Sequence, residues 1–301
     1  MFTTIVVGVD GREGGRDALS LAGRLALLDG GELIAVRVLP FDYYVSRAGA
    51  PPYASVAEQD AKREVEQELA DAGVAAEIRV VGDGSPARAL HRVAEESDAD
   101  VIVVGSTHHG AIGRVFAGDD AASTLHGSPC PVAVAPRGLA GQEWPHVSRI
   151  GVGFDGGPEA KQALALAAGL ARDCGAGLAV RAVVVSPISA ADLSAYDTDW
   201  LERSKRLAAD QLTKALAGIE DVEATGDVAV GLAVDELVEL SEDVDLLVLG
   251  SRGWGQVRRT VAGSTAVGLM RKAHAPILVL PRGAATGQPG ERELDETATT
   301  A

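Results

Sequence analysis

The chain has 301 residues, room for two domains of common size, and 47% of them are hydrophobic, so packed cores are expected. A formal net charge of −16 argues against nucleic acid or an anionic membrane surface as the main partner, since both would repel it. No run reaches the ~20 uninterrupted apolar residues of a membrane span, and two cysteines, Cys130 and Cys174, make no disulfide framework, so a cytoplasmic setting is expected.

The N-terminal run MFTTIVVGVDG lacks a basic leader and a cleavage site and reads as a strand, not a signal peptide. Within it, TIVVGV is a short β-branched run suited to a buried parallel strand. From Gly14 to Leu28 the spacing of Leu21, Leu25 and Leu28 predicts a helix with one apolar face. ELIAVRVL is a second strand, followed by SVAEQDAKREVEQELADAG, a charged helix with a solvated face, stopped by Gly73. AAEIRVV is a third strand. SPARALHRVAEES opens with an N-cap serine and a first-turn proline, and so predicts a helix. DVIVVG is the fourth strand, a glycine loop and a helix follow, and PVAVAP is the fifth.

The second half repeats this order. VVGVDGREGG resembles GVGFDGGPEA, ADVIVVGST resembles VDLLVLGSR, and PCPVAVAPRG resembles HAPILVLPRG. Asp10 and Asp155, Gly105 and Gly250, Gly118 and Gly263, Pro131 and Pro276 are each 145 positions apart. One register held over a hundred residues marks a duplication. Two tandem domains are expected, 1–138 and 148–283, joined by LAGQEWPHV, with 284–301 expected to be a disordered tail poor in apolar residues. Alternating strands and helices predict an α/β fold, five parallel strands per domain with helices on both faces and right-handed crossovers.

In such sheets ligands bind beyond the carboxyl ends of strands, where strand order reverses. The end of strand 1 carries Asp10 or Asp155, and the end of strand 4 carries Gly105 or Gly250. If those strands are neighbours, the two ends line one crevice. In the second repeat the stretch after strand 4 reads G-x₂-G-x₉-G-S-T, through Gly250, Gly253, Gly263, Ser264 and Thr265. Its glycines allow close backbone approach and its hydroxyls open a helix, an arrangement that favours an anion. It is neither the G-x₄-G-K-[ST] phosphate loop nor the dinucleotide G-x-G-x-x-G after strand 1.

On these features the sequence resembles the universal stress protein family in its tandem form, over nearly the whole chain except the tail. The Asp ending strand 1, the Gly-Ser after strand 4, the spaced-glycine loop and the closing Pro-Val or Pro-Ile strand carry the resemblance. It implies Rossmann-like domains of the adenine nucleotide alpha hydrolase type and a site for ATP or AMP, with Mg²⁺ as an optional companion. Asp155 would face the adenine or ribose and Val183 the base. Leu249, Gly250, Gly253, Gly263, Ser264 and Thr265 would form the rest of the site, the loop holding phosphates. It also implies a regulatory role and dimerisation, often through the last strand. In the first domain the corresponding candidates are Asp10, Val38, Gly105 and Gly118.

The first repeat departs from the pattern. His108 stands at the position of Gly253 and Asp119 at that of Ser264. A carboxylate there competes with phosphate for the same donors, and like charges ~4 Å apart repel by about 1 kcal/mol even in bulk water. The nearby pair Gly110 and Gly113 is followed nine residues on by Ser123, not glycine. The second domain is therefore expected to bind nucleotide and the first to bind weakly, differently or not at all.

Other readings stand beside these. Asp10 and Asp155 could only cap the helices that follow them. His108 and His109 belong to a solvated loop rather than a metal site, since adjacent side chains rarely converge and no Cys or acidic partner has ligand spacing. Cys130 reads as a buried spacer, and so does Cys174; neither has a basic neighbour to activate it. Arg252, Arg258 and Arg259 either offset phosphate charge or are ordinary exposed arginines; Trp254 is an interface or lid residue, and Tyr43 and Tyr44 could cover the first crevice. No acid–base pair or activated nucleophile is visible, so no catalytic residue is assigned and at most slow ATP hydrolysis is expected. An ATP-dependent enzyme of related fold would show S-G-G-x-D after strand 1, where this chain has DGREGG and DGGPEA. A nucleotide-free scaffold is the remaining rival. The proline-bracketed last strands belong at edges, where they could pair with each other within the chain or between chains.

Overall fold

The computed structural model describes residues 2–40, 52–106, 114–115, 119–142, 146–185, 198–251 and 264–281. The first half contains β1 (Thr4–Val9), α1 (Glu13–Asp29), β2 (Glu32–Leu39), α2 (Pro52–Ala72), β3 (Glu77–Gly82), α3 (Pro86–Glu96), β4 (Val101–Gly105), α4 (Asp119–Leu125) and β5 (Val132–Ala135). The second contains β6 (Arg149–Phe154), α5 (Pro158–Cys174), β7 (Gly177–Val185), α6 (Thr198–Leu216), β8 (Ala224–Gly231), α7 (Ala233–Leu240), β9 (Leu246–Gly250), α8 (Ser264–Leu269) and β10 (Ile277–Leu280).

Local chemistry accounts for the element ends. Gly30 and Gly175 close α1 and α5 in the left-handed conformation, each donating its N–H to a carbonyl four residues earlier. Gly73 stops α2 with φ +64°. Ser85 caps α3 by accepting from the Arg88 N–H, with Pro86 in the first turn. On α1, Leu21 and Leu25 are buried and Leu28 packs against the same core. One carboxylate ties each first strand to its fourth. Asp100 accepts from the Thr3 and Thr4 amides at 2.8 and 3.0 Å, and Asp245, 145 residues on, accepts from Ser148 and Arg149 at 2.7 and 2.9 Å.

The strands form one ten-stranded sheet in the order β3-β2-β1-β4-β5-β10-β9-β6-β7-β8. Every pairing is parallel except the central one, β5 with β10. Each half is thus a five-stranded parallel sheet, and the proline-bracketed strands, expected at edges, are edges only of their own half. In the whole molecule they lie at the centre and all their residues are buried. The central register pairs Ala133 with Leu278, flanked by Val132 with Val279 and Val134 with Ile277. Ala133 thus faces its own repeat equivalent, 145 positions on, and the flanking pairs exchange across it as a pseudo-twofold requires. Of the two pairings left open by sequence, the described structure holds the one within the chain; a homodimer through these strands would need edges already used.

Asp17, fully buried on α1, holds the chain as it leaves the first domain. Its carboxylate accepts from the Gly138 N–H at 2.8 Å and the Ala140 N–H at 2.9 Å. Burial raises its pKa, and those two bonds draw it back. Arg24 adds a bond to the Gln142 carbonyl at 2.8 Å.

Candidate functional site

The strand ends expected to share a crevice are neighbours: β1 pairs with β4 and β6 with β9. Both pairs stand where strand order reverses, because β2 and β7 lie on their other sides. At the end of each first strand the chain turns through Asp-Gly. Gly11 and Gly156 both have φ +79°, a conformation side chains resist. The Asp10 carboxylate accepts from the Arg12 N–H at 3.0 Å, and Asp155 accepts from the Gly157 N–H at 2.8 Å. These are turn-bracing bonds to the residue at the N-cap, not to the free amides of the first helical turn, and neither helix has a side-chain cap. The capping alternative is therefore replaced by a brace on the turn before the helix.

The glycines ending β4 and β9 answer to packing. A Cβ on Gly105 would lie 1.9 Å from the Gly14 carbonyl oxygen, and one on Gly250 would lie 2.5 Å from the Glu159 carbonyl. The first turn of α1 or α5 passes directly over the strand end. A glycine there lets that helix start come down onto the crevice.

In the second domain this geometry opens a cavity of about 670 Å³. Asp155, Val183, Leu249, Gly250, Ser264 and Thr265 all line it. Gly253 and Gly263, with Arg252, Trp254, Arg258 and Arg259, lie outside the described residues. Sequence reasoning missed the remaining wall. Arg181 on β7 is 16% exposed at its side chain; it pairs with Asp227 at 2.9 Å and Glu239 at 3.6 Å and donates to the Glu236 carbonyl at 3.0 Å. Its one signal was a charge inside an otherwise apolar strand. Val185 and Leu232, 53% and 54% exposed, give the β7 and β8–α7 side an open apolar surface. Arg271 and Lys272 follow α8 on the polar side, where Lys272 pairs with Asp235 at 3.1 Å. Of the three lining cations, Arg181 is paired with Asp227 and Glu239 and Lys272 with Asp235; Arg271, in no ion pair among the described residues, is left to face a bound anion. Burial raises the pKa of nearby Glu236, assisted by Glu239.

In the first domain Asp10 and Gly105 occupy the matching strand ends, and Val38 packs against the core on the face matching that of Val183. His108, His109, Gly110, Gly113, Gly118, Tyr43 and Tyr44 lie outside the described residues, as does the tail after 281. Asp119 begins α4 as Ser264 begins α8. The corner after β3 differs from its counterpart. Buried Asp83 accepts from Arg88 Nε and Arg92 Nη1, both at 3.0 Å, and from the Ser85 amide at 3.0 Å. The Arg88 bond, ahead of the others, holds the Asp83 carboxyl down to about 2.

Both cysteines are free thiols. Burial pushes the Cys130 thiol up to about 12 and raises Cys174 as well, so neither is activated. Among the described residues no group of three or more His, Cys, Asp or Glu side chains could hold a metal, and no helix is long and apolar enough to cross a membrane.

The model of the "Universal stress protein family" matches residues 1–136 and again 146–281. Universal stress protein Rv2319c of Mycobacterium tuberculosis is 27% identical over 92% of this chain and 99% of its own length. A single-repeat relative, "Universal stress protein in QAH/OAS sulfhydrylase 3'region" of Thermus aquaticus, is 31% identical over 44% of this chain and 97% of its own. Among solved structures, a universal stress protein from Archaeoglobus fulgidus DSM 4304 superposes with a TM-score of 0.67 at 20% identity, covering 94% of this chain and 100% of that one.

Proposed function

The chain belongs to the universal stress protein family, and from that premise we propose that its second domain binds an adenine nucleotide, ATP or AMP, and that occupancy regulates a partner in the stress response of the cytoplasm. One observation supports this above the rest: a single cleft joins an exposed apolar wall, Val185 and Leu232, to the hydroxyls that open α8 and the cations that follow it. Val183, Val185 and Leu232 would take the base, which is flat and poorly hydrated. Asp155 would take the ribose or an adenine edge. Ser264, Thr265 and the glycine loop of Gly250, Gly253 and Gly263 would meet the phosphates, with Arg271 and Lys272 offsetting their charge. The cavity volume lies in the range of small-molecule sites. Mg²⁺, when present, would arrive with the nucleotide. The role is proposed to be regulatory, with at most slow hydrolysis accompanying binding.

The first domain is proposed to bind nucleotide weakly or not at all, since His108 and Asp119 replace the glycine and serine of the working loop. Isothermal titration with ATP and AMP tests both statements. Gly263→Val is expected to weaken binding by about ten-fold or more while Gly118→Val leaves it near wild type. Loss confined to the Gly118 variant would sink the assignment. Native mass spectrometry of the purified chain should show co-purifying nucleotide; a chain that neither carries nor takes up nucleotide is the scaffold alternative.

A further inference from the structure

A second cavity of about 580 Å³ lies in the second domain between α5 and α6. It opens on the opposite face of the sheet from the nucleotide cleft. Phe154 and Leu164 at its base belong to the core beneath α5 and α6, whereas Leu249 belongs to the core on the other side. Its floor is apolar, from Phe154, Leu164, Ala168 and Ile219, and its rim carries Lys161, Arg172 and Lys214. Among the described residues none of these three cations forms an ion pair, in a chain with a large excess of carboxylates.

The first domain does not repeat the arrangement. In the 145-residue register Arg172 corresponds to Leu27 and Lys161 to Arg16. The α6 register follows from buried Leu69 and Leu212, 143 apart, and matches Lys214 to Asp71. The connection after α6 spans 217–223, seven residues, against the four of 73–76 after α2, and its Gly218 and Ile219 line the cavity. In the first domain Val74 stands 3.0 Å from where a Gly23 Cβ would be, so helix and connection close up there. Two cations and the room between the helices are therefore features of one repeat, not of the fold.

We propose that this groove is a second ligand site that takes a small amphipathic anion, a medium-chain carboxylate in kind, with its tail on the apolar floor and its head at the rim cations Arg172 and Lys214. The chemistry is complementary on both counts. Apolar volume favours an alkyl body, and rim cations in no ion pair among the described residues favour a negative head. Phe154, at the end of β6, borders both this groove and the nucleotide cleft, but none of the three cations lines the cleft, and decanoate binding is read without nucleotide.

Isothermal titration with decanoate, and with decyltrimethylammonium as the opposite-charge control, reads it out on the full chain. Decanoate is expected to bind one per chain, and the cationic analogue to bind about ten-fold more weakly or not at all. The double variant R172L/K214D, which installs the first-domain residues, should lose about ten-fold or more in decanoate affinity while ATP titration is unchanged. Ala165→Phe, at an exposed position on the rim, should block decanoate by filling the groove with no change in thermal midpoint. Equal binding of both surfactants, or undiminished decanoate binding in both variants, overturns the proposal. So does displacement of decanoate by a synthetic peptide of residues 284–301, which would make that acidic segment the occupant.

Discussion

Gly105 and Gly250 carry two demands at once: a helix start pressed to within a carbonyl's reach, and a strand end that bounds a crevice. Gly105→Ala is expected to destabilise the chain by about 1–3 kcal/mol or more, because its new methyl meets backbone that cannot swing aside. A urea midpoint measures this. Asp83 gives a pH-dependent case. Its pKa in the fold, about 2, lies below the ordinary 3.8, so the ionised form is the one the fold favours. Its contribution is full above that ordinary value and vanishes as pH falls through 2. Asp83→Asn should therefore lower the thermal midpoint at pH 7, with the gap to wild type closing between pH 4 and pH 2; a gap that is constant with pH would refute the charge assignment. At this scale the sequence was readable where a motif repeats. Asp155, Gly250, Ser264 and Thr265 follow from two strand ends and one loop, Leu249 and Val183 from the family resemblance, and all six line one cavity. Arg181, Val185 and Leu232 were not readable, because a strand's neighbour and the corner after it contribute them and no fixed spacing ties them to the loop.

Elements were more legible than sites. Strands β1 and β2 follow the apolar runs to the residue, and the breakers Gly73 and Ser85-Pro86 mark helix ends through backbone conformation and capping. The exit from the first domain was less so. It was readable as a linker, but nothing in its composition shows that Asp17, over a hundred residues earlier, clamps it. A long-range bond of a buried carboxylate leaves no periodic trace. Asp17→Ala should cost about 2–3 kcal/mol, since it strips the acceptor from two amide donors in a part-buried turn. Hydrogen exchange should speed up at Gly138 and Ala140 specifically; unchanged exchange there would mean water or another group replaces the clamp.

The two halves behave as one body because the sheet runs through both and the larger core includes residues from Phe2 to Leu280. One cooperative unfolding transition is expected in calorimetry, not two. The full chain should run as a 30.8 kDa monomer in light scattering, its β5 and β10 edges spent on each other. A fragment of residues 1–138 would bare the β5 edge and should self-associate; a monomeric fragment would show that the edge is protected some other way. The choice between pairing inside the chain and between chains was invisible in sequence, since proline-bracketed apolar strands serve either. The Ala133–Leu278 pair has a further meaning. In an assembly of two identical subunits, any substitution is imposed on both sides of the axis together, so a damaged loop on one side is a damaged loop on the other. Covalent fusion across that axis frees each side to vary alone. One half can then give up a ligand, or gain a new groove, while the other keeps its chemistry and the shared seam holds.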